Sequence, residues 1–175
     1  MEFLICYDDT AIRTGIAGGE VWPYEDAAVS FLFKTSGGNI MFLGDTWYND
    51  GYIAVGHNYD VDVAIFDMGH NAPGATDKMS PQDCARLGEA VQAKVLIPDH
   101  YDNWVNTARD PELLCKQFER LVAENTPEIK TVILRCGAMF EYPKDQDIKR
   151  YRYPDWRDTY RFEYSMHKDV LKKDK

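Results

Sequence analysis

Two segments of the chain place side chains with metal-binding chemistry directly after an apolar run. Asp45 follows residues 40–43 across a single glycine, and Asp99 and His100 follow the run KVLIP. A Gly-Asp pair after a strand is usually a turn and a lone histidine is usually structural, but two such ends in one small domain favour a ligand site. Carboxylate oxygen and neutral imidazole suit Zn²⁺ or Mn²⁺, and an aspartate can bridge two ions. From the pattern alone, a metal site at Asp45 and His100 and an ordinary turn with a structural histidine stay equally open.

The elements that would position these residues follow from hydrophobic period and turn residues. Residues 28–34 (AVSFLFK) and 40–43 are predicted as the two strands of a hairpin, because the Ser-Gly-Gly-Asn between them tolerates positive φ. A helix is predicted through residues 48–58, and residues 60–67 (DVDVAIFD) are predicted as the next strand.

Two later helices have start signals in the sequence. Ser80-Pro81-Gln82-Asp83 combines an N-cap hydroxyl, a proline at the first helical position and an acid at the third. Asp110-Pro111-Glu112 repeats that signal. Apolar residues at helical spacing follow both: Cys84, Leu87, Gly88 and Val91 in the first helix, and Leu114, Phe118, Leu121 and Val122 in the second.

The strand KVLIP lies between these helices, and TVILRC after the second helix is predicted to pair with AMFEY, residues 138–142, in a closing hairpin. This alternation predicts an α/β layered domain with helices on a sheet. Ligands bind at the strand ends along one rim of such sheets, where Asp45 and His100 are predicted to meet.

Composition limits the function classes. The chain has 175 residues, which is enough for one compact domain. Its formal net charge of -9 argues against a general nucleic-acid surface, because such a surface needs clustered positive charge. Its four cysteines form no C-x-x-C pair and follow no signal peptide, so reduced thiols in a cytoplasmic protein are expected. No apolar run approaches the roughly 18 residues of a membrane span.

Three stretches carry a resemblance to a known family. AVSFLFKTSGGNIMFLGDTWYNDGY, PGATDKMSPQDCARLGEAVQAKVLIPDHYDNW and YRYPDWRD are similar to metallo-β-lactamase-fold hydrolases of the L-ascorbate-6-phosphate lactonase type. The family has about twice this length, and this chain resembles its C-terminal half. The resemblance implies the C-terminal half of an αββα sandwich over residues 1–143, with an aromatic and then charged tail over 144–175.

The resemblance implies specific metal ligands. Asp45 corresponds to the metal-bridging carboxylate of a Gly-Asp motif and His100 to the last histidine ligand. The family's H-x-H-x-D-H motif belongs to the other half and has no counterpart here, so a divalent ion, Mn²⁺ or Zn²⁺, is expected to bind weakly or not at all. Cys6, where some members have a histidine, is more simply a core thiol.

The resemblance also implies residues at the substrate mouth. The loop MGHNAPGATDKM could line it, with Lys78 offering positive charge to a phosphate, although Thr76 and Asp77 could instead organise the turn before Ser80. The full set of expected substrate-binding residues is Arg13, His70, Asn71, Thr76, Asp77 and Lys78. His57 is expected to be packed or exposed rather than catalytic, and His167 to be incidental.

The resemblance implies hydrolysis of a sugar-acid lactone by a water that the ions acidify, with L-ascorbate 6-phosphate of L-ascorbate metabolism as one candidate substrate. Asp99 or Asp102 is expected to orient His100. Three alternatives remain open: a fragment of a lactonase, a half-length protein that assembles with itself or another chain, and a non-catalytic module. The sequence MEFLICYDD begins directly in an apparent strand, and this favours the fragment. The expected partner of such a fragment is a complementing N-terminal half.

Overall fold

The computed structural model describes residues 29–69, 78–102, 111–134 and 138–147. Its strands are β1 (Phe31–Thr35), β2 (Gly38–Phe42), β3 (Val63–Asp67), β4 (Val95–Asp99) and β5 (Lys130–Thr131). Its helices are α1 (Gly51–Asn58), α2 (Pro81–Val91) and α3 (Pro111–Asn125). The predicted order of a hairpin followed by alternating helices and strands is therefore confirmed as far as β5.

The five strands form one sheet in the order in which they occur along the chain. β1 and β2 pair antiparallel, with Leu32 opposite Met41, and β2 to β5 are parallel. Each crossover from β2 onwards moves one strand further in the same direction. Because such crossovers are right-handed, all three helices are placed on the same face of the sheet.

The core lies between that face and the helices. Met41, Phe66 and Leu96 on the strands pack with side chains of all three helices, and the rings of Phe66 and Phe118 meet edge to face at 5.7 Å. Gly56 of α1 allows close helix packing, since a Cβ there would lie 2.1 Å from the Ala90 carbonyl oxygen of α2.

The start signal of α2 is confirmed in detail. Ser80 is the N-cap, and its Oγ accepts a hydrogen bond from the Asp83 backbone N–H at 3.2 Å. The four residues of the predicted apolar stripe, Cys84, Leu87, Gly88 and Val91, are all buried. Among the described residues, no helix is long and apolar enough to cross a membrane.

The closing hairpin predicted for residues 138–142 is wrong. These residues form no strand, and Phe140 and Tyr142 pack instead on the second face of the sheet, against a cluster of Val63, Val95, Ile97 and Val132. Burial of these two rings on the sheet's open face replaces the expected backbone pairing. Part of the face opposite the helices is therefore covered by the chain itself.

Tyr142 also completes a polar network at the amino end of β3. The buried Asp62 accepts hydrogen bonds from Lys94 Nζ at 2.6 Å, from Tyr142 Oη at 3.1 Å and from the Asn39 backbone N–H at 2.7 Å. Burial raises the pKa of Asp62, but the three hydrogen bonds outweigh burial, and its pKa lies below the ordinary value of 3.8.

We expect this network to stabilise the fold above pH 3.8 and to lose its effect in acid. The folded state holds Asp62 ionised more strongly than the unfolded state does, so stability is lost as the pH falls through the lowered pKa. Urea unfolding of the wild type and Asp62→Asn should show a difference at pH 6 that shrinks below pH 3.8. A difference that stays constant into acid would contradict this assignment.

Candidate metal site

The carboxyl ends of β2, β3 and β4 meet at one rim of the sheet because these strands are parallel. Asp45 follows β2 by three residues, Asp67 is the last residue of β3, and His100 comes directly after β4. Three chain segments that are distant in sequence thus deliver two carboxylates and one imidazole to the same place.

The donor atoms of these three residues converge. His100 Nδ1 lies 2.8 Å from Asp45 Oδ1 and 3.2 Å from Asp67 Oδ1. One possible ligand atom from each residue lies within 4.8 Å of the other two. Asp67 is buried, whereas about half of the Asp45 side chain is exposed, so the site opens from the core towards the surface.

Lys78 is a fourth charged residue at this rim. Its Nζ donates to Asp67 Oδ1 at 3.0 Å and to Asp67 Oδ2 at 3.2 Å, and it lies 3.3 Å from His100 Nδ1. The segment before α2 brings it there, because Met79 bridges to Met68 beside the end of β3 and Gly69 N–H donates to the Met79 carbonyl. The buried carboxylate therefore has a buried ammonium as its partner.

The electrostatics of the site centre on Asp67. Burial raises the pKa of Asp67 to about 6, with the charge of Asp45 adding to this effect, while Lys78 and His100 oppose it. Because burial makes ionisation of Asp67 unfavourable, a nearby cation stabilises its charged form strongly. Two carboxylates and one imidazole form a donor set that suits a divalent cation.

Two residues at the strand ends adopt left-handed backbone conformations. Gly44 has φ +73°, which glycine adopts without strain, and His100 has φ +58°, which is uncommon for a side chain with a Cβ. Asp99 supports the turn, because its Oδ1 accepts the His100 backbone N–H at 2.7 Å. Asp99 Oδ2 lies 4.0 Å from His100 Nε2, which is too far for a hydrogen bond, so an orienting role of Asp99 or Asp102 towards the imidazole stays a prediction.

A cavity of about 270 Å³ opens at the rim. Its lining includes the three donor residues, Asp99 and the rings of Phe42 and Phe66. A lining that combines a few polar groups with apolar side chains is typical of small-molecule sites.

The prediction that Asp45 and His100 lie together is confirmed, and their role as metal ligands stays a prediction. Lys78 lies beside them with its Nζ on Asp67, and its role in substrate binding also stays a prediction. His57 is exposed, as expected. The remaining candidates lie outside the described residues: Cys6, Arg13, His70, Asn71, Thr76, Asp77 and His167.

The sequence analysis missed Asp67. It closes an apolar strand, as the residues leading to Asp45 and to His100 do, but it was included in the strand as its last residue. Asp67 could have been found from the sequence because an aspartate lies at or shortly after the end of each of three consecutive strands, as Asp45, Asp67 and Asp99 do.

Solved structures define the class of fold. Igni18, a metallo hydrolase from the archaeon Ignicoccus hospitalis, superimposes with a TM-score of 0.53 at 20% identity, over 67% of this chain and 48% of that one. YhfI from Bacillus subtilis, a metallo-β-lactamase-fold protein, superimposes with a TM-score of 0.51 at 14% identity, over 66% of this chain and 45% of that one. The chain has a metallo-β-lactamase-like α/β fold.

Sequence similarity is more specific. Over 130 residues, or 74% of this chain, the sequence is 39% identical to UlaG of Escherichia coli O139:H28, a probable L-ascorbate-6-phosphate lactonase. The chain spans 37% of the length of that relative. No model of a protein family matches the sequence. The resemblance to metallo-β-lactamase-fold hydrolases of the L-ascorbate-6-phosphate lactonase type is confirmed.

Proposed function

We propose that this chain supplies one part of a metal-dependent hydrolase of the lactonase type. The observation that carries the proposal is the convergence of Asp45, Asp67 and His100 at one rim of the sheet. The similarity to a lactonase along most of the chain supports the same reaction class. The buried thiol of Cys84, which forms no disulfide in the part of the chain that the structure describes, agrees with the cytoplasmic location that we propose with it.

The three converging residues would hold a divalent ion, Mn²⁺ or Zn²⁺. When bound, such an ion would lower the pKa of a water and stabilise negative charge on the carbonyl oxygen of the substrate. Asp67 is fixed by its position in β3 and by Lys78, and Asp99 holds the backbone turn that aims His100 at the two carboxylates. Rigid support of this kind keeps ligands in place as charge develops.

The proposed substrate is a sugar-acid lactone, either free or phosphorylated, such as L-ascorbate 6-phosphate. A phosphate needs cationic or N–H partners, and Lys78 is the residue at the described rim that could supply a cation. Arg13 and the loop residues His70, Asn71, Thr76 and Asp77 remain candidates for the rest of the mouth.

We also propose that the site is incomplete in this chain. A complementing N-terminal half, or a second copy of the chain in a homo-oligomer, would supply further walls and ligands. The length of the relative, of which the chain spans 37%, supports the first of these two partners.

A non-catalytic module is the second candidate. The observation that favours it is the pairing of Lys78 with Asp67, which satisfies the buried carboxylate without any ion. Such a module would keep the fold and bind a partner chain through the same rim.

The test is hydrolysis of L-ascorbate 6-phosphate and of simple sugar lactones with Mn²⁺ or Zn²⁺. We expect no appreciable turnover by the 175-residue chain, and metal-dependent turnover after addition of the part of the Escherichia coli relative that this chain does not match. The full-length relative is the positive control. Turnover by the chain without a partner would disprove the incomplete site, and no turnover with any partner would favour the non-catalytic module.

A further inference from the structure

Lys78 occupies an unusual position for a lysine at a metal site. Its side chain is 4% exposed, and its ammonium contacts both carboxylate oxygens of Asp67 and approaches His100 Nδ1. These are two of the three residues that would hold a divalent ion. The protein thus carries a cation of its own against the donor atoms of the site.

We propose that Lys78 is a resident cation that competes with the divalent ion and sets its affinity. This inference rests on the metal site proposed above and adds a residue that controls it. Lys78 would hold Asp67 in place while the site contains no ion, and binding of an ion would have to displace the ammonium or tolerate its charge.

The distances support direct competition. A bound ion lies about 2.0–2.2 Å from a carboxylate oxygen, and Lys78 Nζ lies 3.0 Å from Asp67 Oδ1. An ion on that oxygen would therefore be at most about 5 Å from the ammonium, and two positive charges at this distance repel each other beside the buried Asp67 and Lys78 side chains. Because Lys78 shares both oxygens of Asp67, the ion cannot avoid it by choosing the other oxygen.

Removal of the positive charge at Lys78 should tighten ion binding. We expect Lys78→Gln and Lys78→Met to bind Mn²⁺ at least about tenfold more tightly than the wild type in calorimetric titration, since the repulsion is lost and Asp67 gains the ion as its partner. Lys78→Gln keeps an N–H donor for Asp67 and so protects the fold. Lys78→Arg keeps the charge and should bind as weakly as the wild type.

Thermal unfolding provides a second measurement on the same proteins. Without divalent ions, Lys78→Met should unfold at a lower temperature than the wild type, because Asp67 has lost a buried partner. Addition of Mn²⁺ should raise its unfolding temperature by more than it raises that of the wild type, because tighter binding gives greater stabilisation.

Lys94 provides a matched control at the other end of β3. Its Nζ lies 2.6 Å from Asp62 Oδ1, so Lys94→Met also removes the cation from a buried aspartate, away from the rim. We expect it to leave Mn²⁺ affinity unchanged. Equal or weaker Mn²⁺ binding by both neutral Lys78 variants would refute the competition and leave the metal site standing. Failure of the wild type and every variant to bind Mn²⁺ would refute both.

Discussion

Replacement of Asp67 by alanine is expected to lower the free energy of unfolding by about 3–5 kcal/mol, the cost of breaking a buried ion pair at one partner. The side chains of Asp67 and Lys78 are 1% and 4% exposed, so water cannot replace the lost carboxylate. The variant leaves the Lys78 ammonium in the core without the carboxylate that it contacts at 3.0 Å. Urea unfolding at pH 7 measures the loss as a lower midpoint.

An exposed ion pair serves as the control for this prediction. Glu124 lies 3.7 Å from Arg120 on the surface of α3, and both side chains are mostly exposed. Glu124→Ala should change the free energy of unfolding by less than about 1 kcal/mol, as exposed pairs do. A loss of similar size for both variants would show that burial of the Asp67 pair does not matter.

A double variant separates the pair from the site around it. Asp67→Leu combined with Lys78→Met removes both charges and restores apolar volume, so most of the stability lost in Asp67→Ala should return. Continued instability of the double variant would mean that Asp67 stabilises the fold through contacts other than its ion pair.

The order of helices and strands could be predicted because local signals agree with the fold. The Ser80–Asp83 cap starts α2 where the sequence places it, and the hairpin turn after β1 depends on residues that tolerate unusual backbone angles. Consistent local choices of this kind are characteristic of natural sequences. The position of Asp45 beside His100 followed from parallel strand order, which the alternation of helices and strands implies.

Asp67 shows where this reasoning failed. Its role depends on a residue 11 positions later, Lys78, which reaches it by a long-range contact that no local pattern records. From the sequence, Lys78 belonged to a substrate loop and Asp67 to a strand. Their pairing arises from the parallel bridge of Met68 to Met79, which is a tertiary feature.

The error over residues 138–142 has a related cause. The alternation of Phe140 and Tyr142 indicates that the two rings share a side of an extended segment, but it does not identify a backbone partner. In the fold these rings cover apolar residues of the sheet, and Tyr142 also binds Asp62. Side-chain burial took the place of the expected ladder of backbone hydrogen bonds.

The third candidate ligand changes what to expect of the site. Two matched ligands implied weak binding, whereas Asp45, Asp67 and His100 together equal the roughly three protein ligands of a catalytic centre with an open position. Lys78 acts against this gain. The balance between an added carboxylate and a resident ammonium would decide whether this chain holds an ion without the proposed complementing half.

The largest expected effect concerns turnover by the complemented protein. In that assembly, His100→Ala and Asp45→Ala should each lower kcat/KM by about a thousandfold or more, because loss of a well-placed ion forfeits several kcal/mol of transition-state stabilisation. Both residues lie at the rim, partly exposed, so each variant should keep its fold and its unfolding midpoint. Initial rates of lactone hydrolysis with saturating Mn²⁺ measure the effect.

His57→Ala and Asp50→Ala are the matched controls, since both residues are exposed at the two ends of α1 and neither is one of the three converging donors. Their rates should equal that of the unmodified complemented protein. If His57→Ala abolished turnover while His100→Ala retained it, the catalytic centre would have to be sought at α1 instead of at the carboxyl ends of β2, β3 and β4.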